Sequence, residues 1–225
     1  MIAGKSVELP SDGFEILRAA MVRRLDEHYH IRDERVLEAM ASIPRHEFVP
    51  EALRSQAYRD NALPITGRQT ISQPFIVARM TELLELTGSE RVLEIGAGSG
   101  YQTAVLCRLA REVFAIERIR ELADMAQSRL RTLGFDNFVM FCGDGTLGLP
   151  EFAPFDAISA AAGGPDIPRP LVEQIAVGGR LVIPVGDSRK EQRLVRVRRT
   201  PTALKKEIFD SCSFVPLIGE HGWQE

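Results

Sequence analysis

RVLEIGAGSGYQTAVL, residues 91–106, reads as a buried β-strand that ends in a glycine-rich turn and runs at once into a helix. Glycines there let the backbone approach a ligand closely and set that ligand at a helix N-terminus. The spacing is GxGxG, with Tyr101 where a dinucleotide fingerprint would need its third glycine, which counts against NAD or FAD. Glu94 at the end of the strand would repel a pyrophosphate and attract an ammonium or sulfonium group.

Working outward, apolar β-rich runs at 112–116, 138–141, 155–159 and 180–185 alternate with helical patterns at 102–109, 118–133 and 168–175. Such alternation predicts βαβ units and a parallel sheet covered by helices on both faces. The segments 193–199 and 207–217 have no helix between them and predict a C-terminal antiparallel hairpin, with Arg193, Arg196, Arg198 and Arg199 marking an edge strand protected by charge. Toward the N-terminus, apolar residues recur at helical spacing from Phe14 to Leu25, and again from Val36 to Met40 after the capping residue Asp33. Two amphipathic helices are expected there. Residues 44–73 hold Pro44, Pro50, Pro64 and Gly67 with little periodicity and read as an extended connector, a candidate substrate lip. The expected division is an N-terminal helical extension and lip at 1–75 and one continuous ligand-binding core at 76–225.

Composition narrows the class. The 225 residues are 44% hydrophobic and 26% charged, as in a folded globular domain. With 28 basic against 31 acidic residues, no global charge favours a nucleic-acid backbone. No apolar run is long enough to span a membrane and the start lacks a leader pattern, so the expected location is the cytoplasm. Cys107, Cys142 and Cys212 form neither a CxxC pair nor an even set, which fits a reducing compartment, and Cys107 and Cys142 are expected in the core. His28 and His30, two apart, would face different sides of a helix, so no metal site is expected.

Two more acids close the next strands. Glu117 stands where a carboxylate can accept both hydroxyls of a ribose, and Asp144, in Gly143-Asp144-Gly145, could accept from an adenine amino group. Three acids and a glycine loop at one sheet edge outline a nucleoside with an amino-acid arm, S-adenosylmethionine.

The segments RVLEAMASIPRHEFVPEALRSQAYRDNALPI, QTISQPFIVARMTELLEL, GDGTLGLPEFAPFDAI, GGRLVIPVG and FVPL resemble, in the same order, the protein-L-isoaspartate O-methyltransferases, a family of class I methyltransferases. The resemblance covers roughly residues 32–223. It implies an α/β Rossmann-like fold with a seven-stranded, mostly parallel sheet. It also implies methyl transfer from S-adenosylmethionine to the free α-carboxylate of L-isoaspartyl residues in damaged proteins or peptides, leaving S-adenosylhomocysteine. Ser72 matches the family's active-site serine. Gln69, Thr70, Ile71, Ser72, Ser99, Glu117, Asp144 and Gly145 would line the cofactor site, joined by Glu94, Gly96, Gly98 and Gly100 of the first strand and its loop. The attacking carboxylate is already ionised at neutral pH, so Ser72 would orient it by a hydrogen bond rather than act as a nucleophile. Ser72 also stands where a serine could cap the following helix. His46 has no acid partner evident in the sequence.

Two segments depart from the family. PIGxGQTISQP becomes Pro64-Ile65-Thr66-Gly67-Arg68-Gln69, and VTAAxPxxIP becomes Ala160-Ala161-Ala162-Gly163-Gly164-Pro165-Asp166-Ile167-Pro168. Arg68 could hold a substrate carboxylate or simply be exposed, and Gly163-Gly164 would loosen a loop beside the substrate. Trp223 could cover the cleft or cap the core. A monomer is expected, with no nucleic-acid or membrane partner. The rival readings are a methyltransferase for another acceptor and a catalytically idle cofactor-binding adaptor.

Overall fold

The computed structural model describes residues 13–188 and 191–224; residues 1–12 of the expected N-terminal extension lie outside it. Helices α1 (Glu15–Glu27) and α2 (Glu34–Ser42) form where the apolar spacing predicts, and Asp33 caps α2 by accepting from the Arg35 and Val36 amides. The stretch after Pro44 is less extended than its composition suggests. It makes two 3-10 turns, Arg45–Phe48 and Glu51–Gln56, then a small hairpin of β1 (Leu63–Pro64) and β2 (Thr70–Ile71) that leads into α3 (Pro74–Leu83).

The remaining elements are β3 (Arg91–Ile95), α4 (Tyr101–Leu109), β4 (Glu112–Glu117), α5 (Arg120–Thr132), β5 (Phe138–Cys142), β6 (Phe155–Ala160), α6 (Arg169–Glu173), β7 (Ile175–Val185), β8 (Gln192–Arg199) and β9 (Leu204–Cys212). They build a seven-stranded sheet of order β5-β4-β3-β6-β7-β8-β9. Strands β3 to β7 pair in parallel and β8 and β9 return antiparallel. The chain leaves β3 toward β4 on one side and comes back to β6 on the other, so a crevice opens at the carboxyl end of β3.

One sheet face, with Val92, Val113, Ala157 and Val182, shares a core with Met21 and Leu25 of α1, Val36 and Met40 of α2, and α3 and α4. The other face, with Leu93, Ile95, Ile116 and Ile158, packs on Leu171 of α6 and on Leu217 of the tail.

Two expectations change. Helix α6 is short because Ile175 already pairs as sheet beside Phe155, making β7 eleven residues long. The arginine-rich strand is not an edge, since β8 lies between β7 and β9. Arg196 is nearly buried and binds Glu207 (2.8 Å) and Glu85 (3.0 Å), and Arg198 reaches the same two acids, so these charges brace the hairpin against the end of α3.

Candidate active site

A cavity of about 280 Å³ occupies the crevice. Its floor is the glycine loop. The amides of Gly96 and Ala97 both donate to the Ile116 carbonyl, at 2.8 and 3.1 Å, which curls the loop over the end of β4. Gly96 and Gly98 adopt φ of 83° and 53°, a region costly for other residues. Glu117 fixes the loop from the next strand, its two oxygens accepting from the Gly98 and Ile119 amides at 2.9 Å each. Each oxygen keeps a lone pair, and the carboxylate lines the cavity.

Glu94 lies beneath the loop, fully buried, with neither oxygen hydrogen-bonded. Burial pushes its pKa up to about 7, and the charge of Glu117 adds to the rise. Ser159, its partner across the β3–β6 pairing, and Thr103 on α4 also bury hydroxyls without partners. Glu94 thus lies behind the loop and not among the residues lining the cavity; its ionised form, reached as pH rises past about 7, would draw a cation toward the loop, while Glu117 presents an acid on the wall itself.

Gln69, Thr70, Ile71, Ser72, Gly96, Gly98, Ser99, Glu117 and Gly145 all line the cavity. Gly145 packs so tightly that a Cβ there would lie 2.4 Å from Ile95 Cγ2. Gly100 instead serves as the N-cap of α4, at φ 87°.

Asp144 takes a different job from the one its sequence position suggests. It receives the Thr146 amide (2.8 Å), the Thr146 hydroxyl (2.7 Å) and the Glu220 amide (2.8 Å), so its carboxylate ties the tail to the end of β5. Burial alone would raise its pKa, yet the Glu220 amide and the Thr146 donors hold it below the usual range.

The lip closes one side. Its hydroxyl bearer, Ser72, makes no side-chain hydrogen bond among the described residues, so that group is free toward the cavity. Ser72 does not cap α3: the N-cap is Gln73 without a side-chain bond, and Asp60 Oδ1 accepts from the Phe75 amide at 2.9 Å across the lip. Gly67 and Arg68 stand at φ 69° and 58°, so the lip reaches its turn by two consecutive left-handed residues. Arg68 is exposed and makes no bond within the protein among the described residues.

Sequence reasoning missed the tail. Val215, Pro216, Leu217 and Ile218 form a wall of the cavity. Gly163 is the hub that holds them there: its amide donates to the Val215 carbonyl (2.9 Å), and its own carbonyl accepts from the Leu217 amide (2.8 Å) and from the Trp223 indole (3.0 Å). The Gly163-Gly164 loop is therefore clamped, not loosened, and Trp223 acts as one of its clamps. Arg118, Tyr101 and Gln102 also line the cavity unforeseen; Arg118 and Tyr101 directly follow predicted residues, the only hint the sequence offered. His46 gains an acid partner, Glu47 at 3.4 Å, and a Tyr58 hydroxyl at 2.8 Å on its other nitrogen. Cys107 is buried as expected, whereas Cys142 is half-buried beside the Arg118 carbonyl.

The model of the Protein-L-isoaspartate(D-aspartate) O-methyltransferase family matches residues 17–222. The chain belongs to that family. It is 55% identical over 215 residues to a protein-L-isoaspartate O-methyltransferase of Syntrophus aciditrophicus, covering 94% of this chain and 98% of the relative. A relative of the same description from Roseiflexus castenholzii is 56% identical over 193 residues, 86% of this chain and 88% of its own. Among solved structures, a protein-L-isoaspartate O-methyltransferase superposes with a TM-score of 0.80 at 30% identity, over 91% of this chain and 67% of its own. A Plasmodium falciparum protein solved in complex with S-adenosyl-L-homocysteine shares the fold, with a TM-score of 0.77 at 23% identity over 89% of this chain and 98% of its own. As a protein-L-isoaspartate O-methyltransferase family member, the chain keeps its family's fold.

Proposed function

We propose that this chain transfers the methyl group of S-adenosylmethionine to the free α-carboxylate of L-isoaspartyl residues in damaged proteins and peptides. The observation that carries the reading is a single cavity whose floor is a glycine loop set between two acids and whose side is a lip presenting an unengaged serine hydroxyl. The residues fit the donor. Glu117 has lone pairs free for a ribose, Ile95, Ile116 and Ile119 offer apolar surface to a base, and Glu94, buried behind the glycine loop, would draw a cationic amino-acid arm through its field once ionised.

When bound, the donor supplies an electrophilic methyl on a sulfonium that departs as a neutral thioether. The acceptor is ionised already, so the chain needs no general base. Its residues bind, orient and exclude water. Ser72 donates to the acceptor carboxylate, and the lip and the tail wall keep solvent from the line of attack, where proximity lowers the barrier. Asp144 anchors the tail that walls the donor side. In this reading the lip contributes to the acceptor side, and the loops that follow the parallel strands carry most of the donor side.

The test is transfer of labelled methyl to paired peptides, one with L-isoaspartate and one with aspartate. Base-labile label on the isoaspartyl peptide alone is expected; label on neither, with donor bound, would sink the reading. Ser72→Ala is expected to lower kcat/KM for the peptide by about 10-fold or more and to leave donor Kd unchanged. Equal losses in both would make Ser72 a donor-binding residue.

A further inference from the structure

Behind the lip lies a cation that the mechanism has not used. Arg45 begins the first 3-10 turn after Pro44 and is fully buried. Its Nε donates to the Ala57 carbonyl at 2.7 Å and its Nη2 to the Ser72 carbonyl at 2.7 Å. Its guanidinium carbon lies 4.7 Å from the centroid of the Tyr101 ring, and Tyr101 lines the cavity. Among the described residues no carboxylate pairs with it, and its Nη1 has no hydrogen-bond partner.

A buried guanidinium is costly unless it is paired and fully bonded. A methionine would fill a similar volume without that cost. What an arginine adds is a planar fork able to span two carbonyls, and a fixed positive charge. One of the spanned carbonyls belongs to the residue whose hydroxyl meets the acceptor. The other belongs to Ala57 at the end of the second 3-10 turn, fifteen residues earlier in the chain, so the fork ties both ends of the β1–β2 hairpin segment to one point. No other side chain among the described residues bonds to the Ser72 backbone.

We propose that Arg45 is a positioning residue for methyl transfer: its fork sets the backbone from which the Ser72 hydroxyl projects, and its charge, offset in part by Asp60, biases that end of the cavity toward an anionic acceptor. The proposal rests on the isoaspartyl reading for its acceptor, but the hold on Ser72 stands independently of it.

Arg45→Met removes fork and charge at similar volume, and Arg45→Lys keeps the charge without the planar fork. In Arg45→Met, kcat/KM for the isoaspartyl peptide is expected to fall about 100-fold, the scale of a misplaced reacting geometry, with donor Kd unchanged. Peptide KM should rise in Arg45→Met and return toward wild type in Arg45→Lys, while kcat stays low in both. Amide hydrogen exchange at residues 70–75 should speed up in both variants before any ligand is added. Wild-type kcat/KM in Arg45→Lys, or parallel loss of donor affinity and turnover in Arg45→Met, would overturn the proposal. If Arg45→Met does not fold, the kcat of Arg45→Lys and its lip exchange decide alone. Should the wild-type protein methylate no isoaspartyl peptide, the functional reading fails, and unchanged lip exchange in Arg45→Lys would separately refute the hold on Ser72.

Discussion

Glu117 reaches the glycine loop across 19 residues of chain, whereas the Trp223 indole reaches Gly163 across 60 and Asp144 reaches the Glu220 amide across 76. The floor of the cleft is made where consecutive parallel strands end, so its parts are close in sequence and their spacing is dictated by strand and helix length. The lip and the tail wall are made by segments that meet only after the sheet is complete. One side of the site is a motif, and the other is an assembly. Substitutions should therefore act differently on the two: local and ligand-specific on the floor, global and shared on the walls.

The sharpest test falls on the floor. Glu117→Ala removes the acceptor of two amides and the carboxylate proposed to face the ribose, and leaves Gly98 and Ile119 unpaired. Donor affinity measured by titration calorimetry should drop by about 100-fold, from charge-assisted bonds of ~1.5–3 kcal/mol, while the thermal midpoint moves little by comparison. A loss of less than about threefold would place donor recognition elsewhere in the cleft.

On the wall, Gly163→Ala should show the opposite balance. Its Cβ would lie 2.6 Å from the Gln192 amide carbon, and Gln192 in turn accepts from the Phe214 amide at 2.7 Å, directly before the tail wall. Overpacking of this kind costs ~1–3 kcal/mol, readable as a lower denaturant midpoint, and donor binding should weaken along with it. An unchanged midpoint would return the loop to the loose state its glycines suggest.

Glu94 joins the two behaviours, lying behind the floor while also costing stability. Its pKa, raised to about 7 from an ordinary 4.5, means that the folded protein holds a proton the unfolded chain releases between those values. Stability is then greatest below about pH 4.5 as far as this group is concerned, and declines as pH rises toward 7. Glu94→Gln should accordingly gain on the order of 1–2 kcal/mol at pH 8 and nothing at pH 4. Donor affinity of the wild type should rise with pH through about 7, since a cation favours the ionised form, and that rise should vanish in the variant. A pH-independent stability gain would mean that Glu94 does not titrate in this range.

The same contrast explains what was legible in the sequence. Gly96, Gly98 and Glu117 could be placed because strand, loop and helix follow each other without interruption, and the five parallel strands were announced by apolar runs, whereas β9, expected over 207–217, runs over Leu204–Cys212. Asp144 was read by the same logic and turned elsewhere, because the tail that takes up its oxygens arrives 76 residues later. Gly163 was read as slack from its composition, yet its two neighbours along the chain say nothing of Val215, Leu217 and Trp223, which supply its partners. Strand β8 looked like an edge until β9 covered it, since which strand ends a sheet is a property of the closed topology.

Arg68 carries the comparison to its smallest scale. The residue sits at φ 58°, next to Gly67 at φ 69°, and is exposed on the lip. The left-handed backbone costs an ordinary residue ~1–2 kcal/mol, while glycine gives back part of that through the entropy of the unfolded chain, so Arg68→Gly should stabilise the protein by less than about 1 kcal/mol. Donor Kd should not change, because the side chain makes no bond that reaches the floor. Peptide KM is the discriminating reading. If it also stays fixed, the lip tolerates an arginine only as strained surface, and the wall's geometry comes from Arg45 and Asp60 beneath it. If KM rises for peptides with acidic neighbours and not for neutral ones, the arginine touches the acceptor, and the strain is held because the guanidinium is wanted at that turn.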